Sequence, residues 1–319
     1  MNSIRLLITE NCNANCPNCF NKDYRTKRDM DYSQCISLLS YLSKSGLKKV
    51  KLMGGEPTVH PFFSDILKFA QSKFDSVIIF TNAINDEILK INLREKDLIV
   101  YNSKFIDDSF PLEKLLPNQA GTRVFETQIS SDLNVDTLIS RFDNFLSRLE
   151  KEYPHDYLIK LIGFNLTLNC MENIFAKKSS IIKKWNKVYD FIKKKNYDVD
   201  IDHSIPWCFF VNTDMKVKQG IWKCTSQCSG LIDSEMNLRY CNQHPKVLMP
   251  LIENGKFTPV AKMENYLYME NLNKIHTNLV KLCKDCPFFN RKCNGGCFMH
   301  KNFISSNDVI LNTNLPKKE

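Results

Sequence analysis

The sequence lacks the long apolar run that a membrane-spanning helix needs. No segment approaches ~18 uninterrupted apolar residues, so no transmembrane helix is expected. Residues 1–5 lead directly into a short apolar segment, without the architecture of a signal peptide. Internal repeats and low-complexity segments are also missing. These absences favour a globular protein of the cytoplasm.

Composition excludes further classes of protein. A chain of 319 residues is too long for a small disulfide-stapled module and long enough for a barrel with an appendage. Its 43% hydrophobic and 25% charged residues are ordinary for globular proteins and exclude a disordered chain. The net charge of +9 suggests an acidic partner, but lysines on solvated helix faces are the commoner cause. The lysine-rich helix predicted over residues 177–195 has no convincing aromatic platform, so no nucleic-acid partner is predicted.

The hydrophobic pattern of the first two hundred residues alternates between strands and helices. Apolar runs typical of strands lie at residues 4–8, 50–53, 77–80, 98–101 and 158–164, with a less hydrophobic one at 123–129. Four amphipathic helices are predicted between these strands. The first contains Cys35 and ends at Gly46, and the second follows Pro61 and carries Phe62, Ile66, Phe69 and Ala70. The third spans residues 135–153, and the fourth has Ser179 or Ser180 as its cap and a buried stripe of Ile181, Trp185, Val188 and Ile192. This alternation predicts an α/β fold of parallel βα units closed or partly closed into a barrel, with six units before residue 207.

The composition and the hydrophobic pattern of the sequence change after residue 207. Cysteines become frequent, periodicity weakens, and Gly and Asn interrupt the chain. We therefore expect a barrel over residues 1–207, a small cysteine-rich domain over 208–303 and a polar, loosely held tail over 304–319.

Cys12, Cys16 and Cys19 form a C-x3-C-x2-C motif in the loop after the first predicted strand, at the end where barrel active sites are built. The cysteine total of 13 is odd, and cytoplasmic thiols stay reduced, so metal ligation is favoured over disulfides. Three thiolates suit three corners of an iron–sulfur cube, which leaves one iron open to a substrate or cofactor. The alternatives are incidental thiols or zinc, which would need a fourth ligand; the nearest histidine in sequence is His60.

A second motif, Gly54-Gly55-Glu56-Pro57, follows the second predicted strand. Two glycines at a strand end let a ligand approach the backbone closely, and the adjacent carboxylate can help to hold an ammonium group. Alone the motif is often just a turn. Its pairing with the cysteine motif one strand earlier makes it informative.

These two motifs, with Phe20 directly after Cys19, resemble the radical S-adenosylmethionine (radical SAM) superfamily. The resemblance implies a partial (β/α)6 TIM-type barrel and a [4Fe–4S] cluster on the three cysteines whose open iron binds SAM. Reductive cleavage of SAM would give a 5′-deoxyadenosyl radical that abstracts hydrogen from a substrate. The implied cofactor-binding residues are Phe20, Gly54, Gly55, Glu56, Pro57, Asn82 and Ser130, with Thr81 and Ser131 as neighbours of the last two.

Seven further cysteines lie beyond residue 220, at positions Cys224, Cys228, Cys241, Cys283, Cys286, Cys293 and Cys297. Zinc binding is the alternative reading, but the set resembles the SPASM extension of radical SAM enzymes, which holds two auxiliary [4Fe–4S] clusters. The resemblance implies that Cys224, Cys228, Cys241 and Cys297 hold the first auxiliary cluster, and that Cys283, Cys286 and Cys293 supply three ligands of the second.

The sequence departs from the SPASM pattern in three ways. Six residues rather than five separate Cys286 from Cys293, Met236 replaces a turn glycine, and no cysteine follows Cys297. The second auxiliary cluster therefore needs another ligand. His300, Asp308, another cysteine or a vacant position are the alternatives.

Other reactive side chains have ordinary explanations. Cys35 lies on a helix stripe and Cys170 after a strand, so both are expected to be structural. Asp202, His203 and Cys208 lie where the barrel meets the cysteine-rich region. There they are candidates to move a proton or a hydrogen atom, or else structural residues.

The family resemblance predicts an enzyme. Most SPASM relatives modify peptides, so crosslinking, epimerisation or oxidation of a ribosomal peptide is the first expectation. A small molecule such as a sugar, a nucleoside or another natural-product intermediate is the alternative, and a non-enzymatic electron carrier or zinc adaptor is a remote one. Because Cys12 lies so near the start, we expect no N-terminal leader-recognition domain but either a separate recognition protein or direct binding of the leader at a sheet edge. A flavodoxin or ferredoxin is the expected reductant.

Overall fold

The computed structural model describes residues 1–16, 19, 26–116, 118–169, 172–201, 205–209, 230–241, 246–277, 279–280, 283, 285–287, 293, 297 and 309–310.

Strands and helices alternate through the first two hundred residues. They are β1 (Ser3–Thr9), α1 (Tyr32–Lys44), β2 (Lys49–Gly54), α2 (Phe63–Lys73), β3 (Ser76–Thr81), β4 (Leu98–Asn102), β5 (Thr122–Ile129), α3 (Val135–Glu152), α4 (His155–Leu161), β6 (Ile162–Leu168), α5 (Lys178–Lys194) and β7 (Asp198–Ile201). Strands β1 to β7 pair in chain order, and every pair is parallel. Successive parallel strands joined by right-handed crossovers place their helices on one face of the sheet.

The two faces of β1 show how the layers form. Ile4, Leu6 and Ile8 are buried in the main core, which also contains the apolar stripes of the helices. Leu7, from the other face, packs in a smaller cluster with Met53 of β2. Side chains alternate across a strand, so one face of β1 meets helices and the other lines the inside of the curved sheet.

The predicted α/β fold class is confirmed, and the barrel is open. Within the described chain, β7 pairs only with β6, while β1 pairs with β2 and with a strand from the later part of the chain. None of the described helices is both long enough and apolar enough to cross a lipid bilayer.

The chain beyond residue 207 extends the same sheet. Its elements are β8 (Leu231–Ile232), β9 (Asn237–Arg239), β10 (Val247–Pro250), β11 (Ile252–Glu253), β12 (Lys256–Phe257), α6 (Val260–Thr277), β13 (Leu279–Val280) and β14 (Val309–Ile310). Strand β8 lies parallel to β1, and β9 and β10 follow it antiparallel. β14, in the region expected to be a tail, pairs with β13. The domain division near residue 207 stays a prediction.

One predicted strand was wrong in its first half. Residues 158–161 belong to helix α4, and β6 begins at Ile162 and continues to Leu168. Pro154 stands before the first turn of α4, and Leu158 and Leu161 are buried at helical spacing. An apolar run that contains a helix end and a strand start looks continuous in sequence, because both parts face the core.

The ends of the predicted helices differ in detail. Gly46 follows α1 with φ +90°, as a helix-ending glycine should. Phe63 is buried at the start of α2, whereas Phe62, expected in the core, is 48% exposed. Helix α5 is capped by Lys177 without a side-chain bond, so Ser179 and Ser180 lie inside its first turn rather than at its cap.

Two crossovers contain no α-helix. The β3–β4 and β4–β5 connections are built from short 3₁₀ turns. Arg123, fully buried in β5, donates hydrogen bonds to the carbonyl oxygens of Leu115, Ala120 and Gly121 and thereby satisfies backbone groups that a helix would have satisfied itself.

Candidate functional site

The cysteine motif lies directly after β1, at the C-terminal edge of the parallel sheet. Cys12, Cys16 and Cys19 are partly exposed cysteines that form no disulfide among the described residues. The amide of Ala14 donates to Cys12 Sγ at 3.4 Å, and the amide of Cys19 donates to the Cys16 carbonyl oxygen at 3.3 Å. The loop therefore turns within the motif, and Phe20, the predicted cofactor neighbour, lies outside the described residues.

The base of this loop is closed by hydrogen bonds between the chain that enters it and the chain that leaves it. The amide of Glu10 donates to Arg28 O, and the amide of Met30 donates to Ile8 O, both at 2.8 Å. The side-chain nitrogen Nδ2 of Asn11 donates a hydrogen bond to Asp29 Oδ1 at 2.9 Å. A loop closed in this way presents its cysteines from a fixed base.

Gly54 and Gly55 are required by the cysteine loop itself. A Cβ on Gly54 would lie 2.4 Å from Thr9 O, and a Cβ on Gly55 would lie 2.2 Å from Asn11 O. The amide of Gly55 donates to Thr9 O at 2.9 Å. Both glycines also line the cavity described below, so the close approach that sequence reasoning reserved for a ligand is already made by the protein backbone.

Glu56 is a buried residue whose side chain links two strand ends by hydrogen bonds. Its carboxylate accepts hydrogen bonds from Thr58 Oγ1 at 2.7 Å, Thr81 Oγ1 at 2.9 Å and the Asn82 amide at 2.6 Å. Burial raises the pKa of this carboxyl, and the same hydrogen bonds act in the opposite direction. Glu56 is 1% exposed and ties the end of β2 to the end of β3; Pro57, also buried, begins the following 3₁₀ turn.

Asn82 and Ser130 extend the site across the neighbouring strands. Asn82 Nδ2 donates to Asn13 Oδ1 at 2.8 Å and lies 3.9 Å from Cys12 Sγ. Ser130, after β5, donates to the Asp132 carboxylate and thereby lowers the pKa of that carboxyl. The neighbouring Ser131 amide instead donates to Glu172.

A cavity of about 480 Å³ joins these residues. Its lining includes all three cysteines of the motif together with Gly54, Gly55, Thr81, Asn82 and Ser130. Glu56 and Pro57 lie behind this lining. The structure thus brings together residues from five parallel strands and the loops that follow them, as expected where strand ends share one edge.

Sequence reasoning missed several polar residues of the cavity. Arg5, Asn102, Glu126 and Gln128 line it and come from β1, β4 and β5. In the strand register Asn102 pairs with Glu126, so the two lie side by side. The signal in the sequence was an isolated polar residue in or at the end of an apolar strand, with Glu126 and Gln128 two positions apart and so on one face of β5.

The donor set fits an iron–sulfur cluster better than a single metal ion. Among the described residues, no three Cys, His, Asp or Glu side chains converge closely enough to hold one ion. A cubane distributes its protein ligands over different irons, which suits three thiols spread along one cavity wall. His60, the nearest histidine in sequence, bonds the Met30 carbonyl oxygen and the Phe62 amide and lies in the core, so it is occupied as a structural residue.

The later cysteines are described only in part. Cys293 and Cys297 are buried in the core, and Cys241 packs against it. Cys283 and Cys286 are partly exposed and lie in one turn, where the Cys286 amide donates to Cys283 O at 3.3 Å. Cys224, Cys228, His300 and Asp308 lie outside the described residues, as do Cys170, Asp202 and His203.

Cys208 lies near the later cysteines. The residue is exposed, but partial removal of its thiol from water raises the pKa, and the nearby Cys293 and Cys286 raise it further against the opposing effect of Lys178. Cys35 behaves differently: burial in α1 raises the pKa of its thiol to about 12, as expected for a core residue.

Comparison with known proteins identifies the first part of the chain. The model of the radical SAM superfamily matches residues 6–119. The chain carries a radical SAM domain. That domain includes the C-x3-C-x2-C motif, both glycines and Asn82, so the family predicted from the two motifs is confirmed.

A curated protein is similar to this chain over a short stretch. A GTP 3′,8-cyclase of Chlorobaculum tepidum is 30% identical over 84 residues, which cover 25% of this chain and 26% of that protein. This chain therefore spans about a quarter of the length of that relative.

Two solved structures share the fold over nearly the whole chain. The structure of anSMEcpe with bound AdoMet has a TM-score of 0.60 and 14% identity, and covers 97% of this chain and 93% of its own. Streptococcus suis SuiB bound to its precursor peptide SuiA has a TM-score of 0.64 and 14% identity, and covers 98% and 75%. The radical SAM domain and the chain after it therefore follow an architecture known from these proteins.

Proposed function

We propose that this protein is a radical SAM enzyme that abstracts a hydrogen atom from a ribosomally made peptide. The cavity carries this proposal, because the three cysteines and two glycines of a radical SAM domain line it together. A [4Fe–4S] cluster on Cys12, Cys16 and Cys19 and SAM at its open iron would supply the electron and the 5′-deoxyadenosyl radical.

The chain's own residues prepare this cavity in three ways. The closed base of the loop orients the thiols, and the Asn82 side chain positions the loop through Asn13. Met53, Phe80 and Val100 give the cavity an apolar wall. Such a wall excludes water from a reactive intermediate and so limits side reactions.

A peptide substrate is supported by likeness of fold to SuiB, whose structure holds the precursor peptide SuiA. Crosslinking, epimerisation or oxidation of a peptide is the proposed outcome. One or two auxiliary [4Fe–4S] clusters on the later cysteines, a flavodoxin or ferredoxin as reductant and a separate leader-recognition protein belong to the same proposal.

A small-molecule substrate is the second candidate. The observation that favours it is the sequence match to a GTP 3′,8-cyclase, a protein named for a nucleotide substrate. The polar cavity residues Arg5, Asn102 and Glu126 would then bind the polar groups of such a molecule.

The test of the proposed function is reductive cleavage of SAM. Protein reconstituted anaerobically should be brown and should form 5′-deoxyadenosine when a strong reductant is added. Replacing Cys12, Cys16 and Cys19 together by Ala should abolish cleavage, whereas Cys35→Ala, which alters a core thiol outside the cavity, should retain it. Continued formation of 5′-deoxyadenosine by the triple variant would contradict the assignment.

The substrate class is tested separately. Deuterated peptides encoded beside the gene are compared with deuterated GTP, and the label is sought in 5′-deoxyadenosine. Transfer from a peptide supports the first proposal, and transfer from GTP supports the second.

A further inference from the structure

A buried charged network lies at the root of the cysteine loop. Glu10, two residues before Cys12, is 1% exposed, and its Oε2 accepts hydrogen bonds from the amide and, at 2.6 Å, from the hydroxyl of Thr26. Thr26 lies on the chain that leaves the loop. One carboxylate thus joins both ends of the segment that carries Cys12, Cys16 and Cys19.

The other oxygen of Glu10 faces a cation from the distant part of the chain. Glu10 Oε1 is buried without a hydrogen-bond partner in the described structure, and Arg239 Nη2 lies 4.0 Å from it. Arg239, on β9, is itself nearly buried, with 8% of its side chain exposed. An oriented guanidinium therefore lies opposite the buried carboxylate and offsets its charge.

Asp233 fixes the direction of Arg239. Its fully buried carboxylate accepts a hydrogen bond from Arg239 Nε at 2.7 Å and from the amides of Asn237 at 2.8 Å and Glu235 at 3.1 Å. Asp233 thereby holds the β8–β9 turn closed and directs the guanidinium towards the end of β1. Arg239 lies between two buried carboxylates that belong to separate parts of the chain.

We infer that Arg239 is a positioning residue that holds the radical-cluster loop in place from the β8–β9 hairpin. A buried charge is costly unless it is paired, so removal of Arg239 leaves Glu10 uncompensated and favours its departure from Thr26. The base of the loop then opens. The inference goes beyond the proposed function, because it says that the ordered conformation of the cysteine loop depends on residues after 207. It rests on the proposed function at one point, namely that this loop holds the cluster.

The test compares Arg239→Gln with Arg28→Gln in the full chain. Arg28 pairs with Glu235 between the same two segments, but its side chain is 67% exposed, so it serves as the matched control. Arg239→Gln should raise amide exchange in residues 11–16 by about tenfold or more, as local opening after loss of a buried charge partner predicts. It should also reduce the cluster EPR signal that SAM perturbs. Arg28→Gln should resemble wild type in both measurements.

A second variant covers the case in which Arg239→Gln fails to fold. Glu10→Gln keeps an acceptor for Thr26 but removes the charge, and it should raise exchange in the same residues. The double variant should lose less than the two single losses added together, because Glu10→Gln removes the charge that Arg239→Gln leaves unpaired at the loop, whereas Asp233 loses its partner equally in the single Arg239 variant and in the double variant. If both single variants match Arg28→Gln in exchange and in EPR, the inference is overturned. If wild type holds no cluster while exchange responds as described, the proposed function fails and the structural inference stands.

Discussion

Gly55 has no room for a side chain, because the carbonyl oxygen of Asn11 occupies that space at 2.2 Å from an added Cβ. We expect Gly55→Ala to push the cysteine loop away from β2. Forced overpacking of this kind costs about 1–3 kcal/mol. The variant should therefore show a lower free energy of unfolding in urea and bind less iron at the three-cysteine site.

Gly163 is the matched control at residue scale. It lies in β6 of the same parallel sheet, but a Cβ there would meet its nearest neighbour, Val124 Cγ2, at an ordinary 3.9 Å. Gly163→Ala should leave iron binding unchanged. Equal iron content in the two variants would show that the approach of Asn11 to Gly55 does not position the loop.

At the scale of elements, Asp97 joins the pieces around the crossovers that lack helices. Its carboxylate accepts from the Val77 amide at 2.9 Å, from Gln71 Nε2 at 2.8 Å and from Arg94 Nη2 at 2.8 Å. These partners lie in β3, in α2 and just before β4. One buried carboxylate therefore holds the ends of three elements together where no α-helix packs across the sheet.

This role predicts a pH-dependent loss of stability in Asp97→Asn. Burial acts to raise the pKa of Asp97, but the hydrogen bonds from Arg94, Val77 and Gln71 outweigh it, so the pKa is lowered from 3.8. Stability from such a group is present above the unfolded value and is lost as pH falls through the lower folded value. Asp97→Asn should cost about 1–3 kcal/mol near neutral pH. The difference in free energy of unfolding between Asp97→Asn and the wild type should become smaller as the pH falls below the pKa of an ordinary aspartate.

Urea unfolding at a series of pH values measures this gap. Glu87→Gln, which alters an exposed pair with Lys90, is the control and should change stability by less than about 1 kcal/mol at every pH. A gap between wild type and Asp97→Asn that stays constant into acid would contradict the role given to the ionised carboxylate.

At the scale of the whole molecule, one sheet connects the two halves of the chain. Strand β8 pairs with β1 next to the radical SAM site, and β9 carries Arg239 back to the same edge. The β8–β9 hairpin and the base of the cysteine loop are therefore neighbours in space. Changes after residue 207 are expected to reach the radical SAM domain through this contact.

The second auxiliary cluster is a prediction at this scale. Seven cysteines follow residue 220, and two fully cysteine-ligated cubanes need eight. We therefore expect its fourth position to hold a side chain other than cysteine, or a water. Mössbauer and EPR spectra of the Cys12, Cys16 and Cys19 triple variant should then change when thiol is added and should be unaffected by Cys208→Ala.

Cys208 is the competing ligand, because it lies close enough to Cys293 and Cys286 for their charges to raise its pKa. If the spectra show two fully cysteine-ligated clusters, do not change when thiol is added and do change in Cys208→Ala, then Cys208 is a ligand of the second auxiliary cluster. Cys208→Ser, which keeps the size of the side chain, separates a lost ligand from a packing defect.

Much of the fold was predictable from local pattern. The buried stripe of α1, with Cys35, Leu38 and Leu42, and the apolar strand β3 each carry their own periodicity. The C-x3-C-x2-C motif and the glycine pair are also local, and they sufficed to predict a radical SAM domain. Where two elements adjoin without a polar break, as α4 and β6 do, periodicity could not place the boundary.

The fold class, the radical SAM family and the thiols proposed to hold the cluster can all be predicted from spacing between near neighbours along the chain. Three roles are visible only in the folded chain: Glu56 links the end of β2 to β3, Gly55 leaves room for Asn11, and Arg239 lies against Glu10. Those roles depend on which strand ends meet at one edge of the sheet. Contacts between distant residues are chosen when the whole sheet packs and buried charges find partners, and neither event leaves a local trace in the chain.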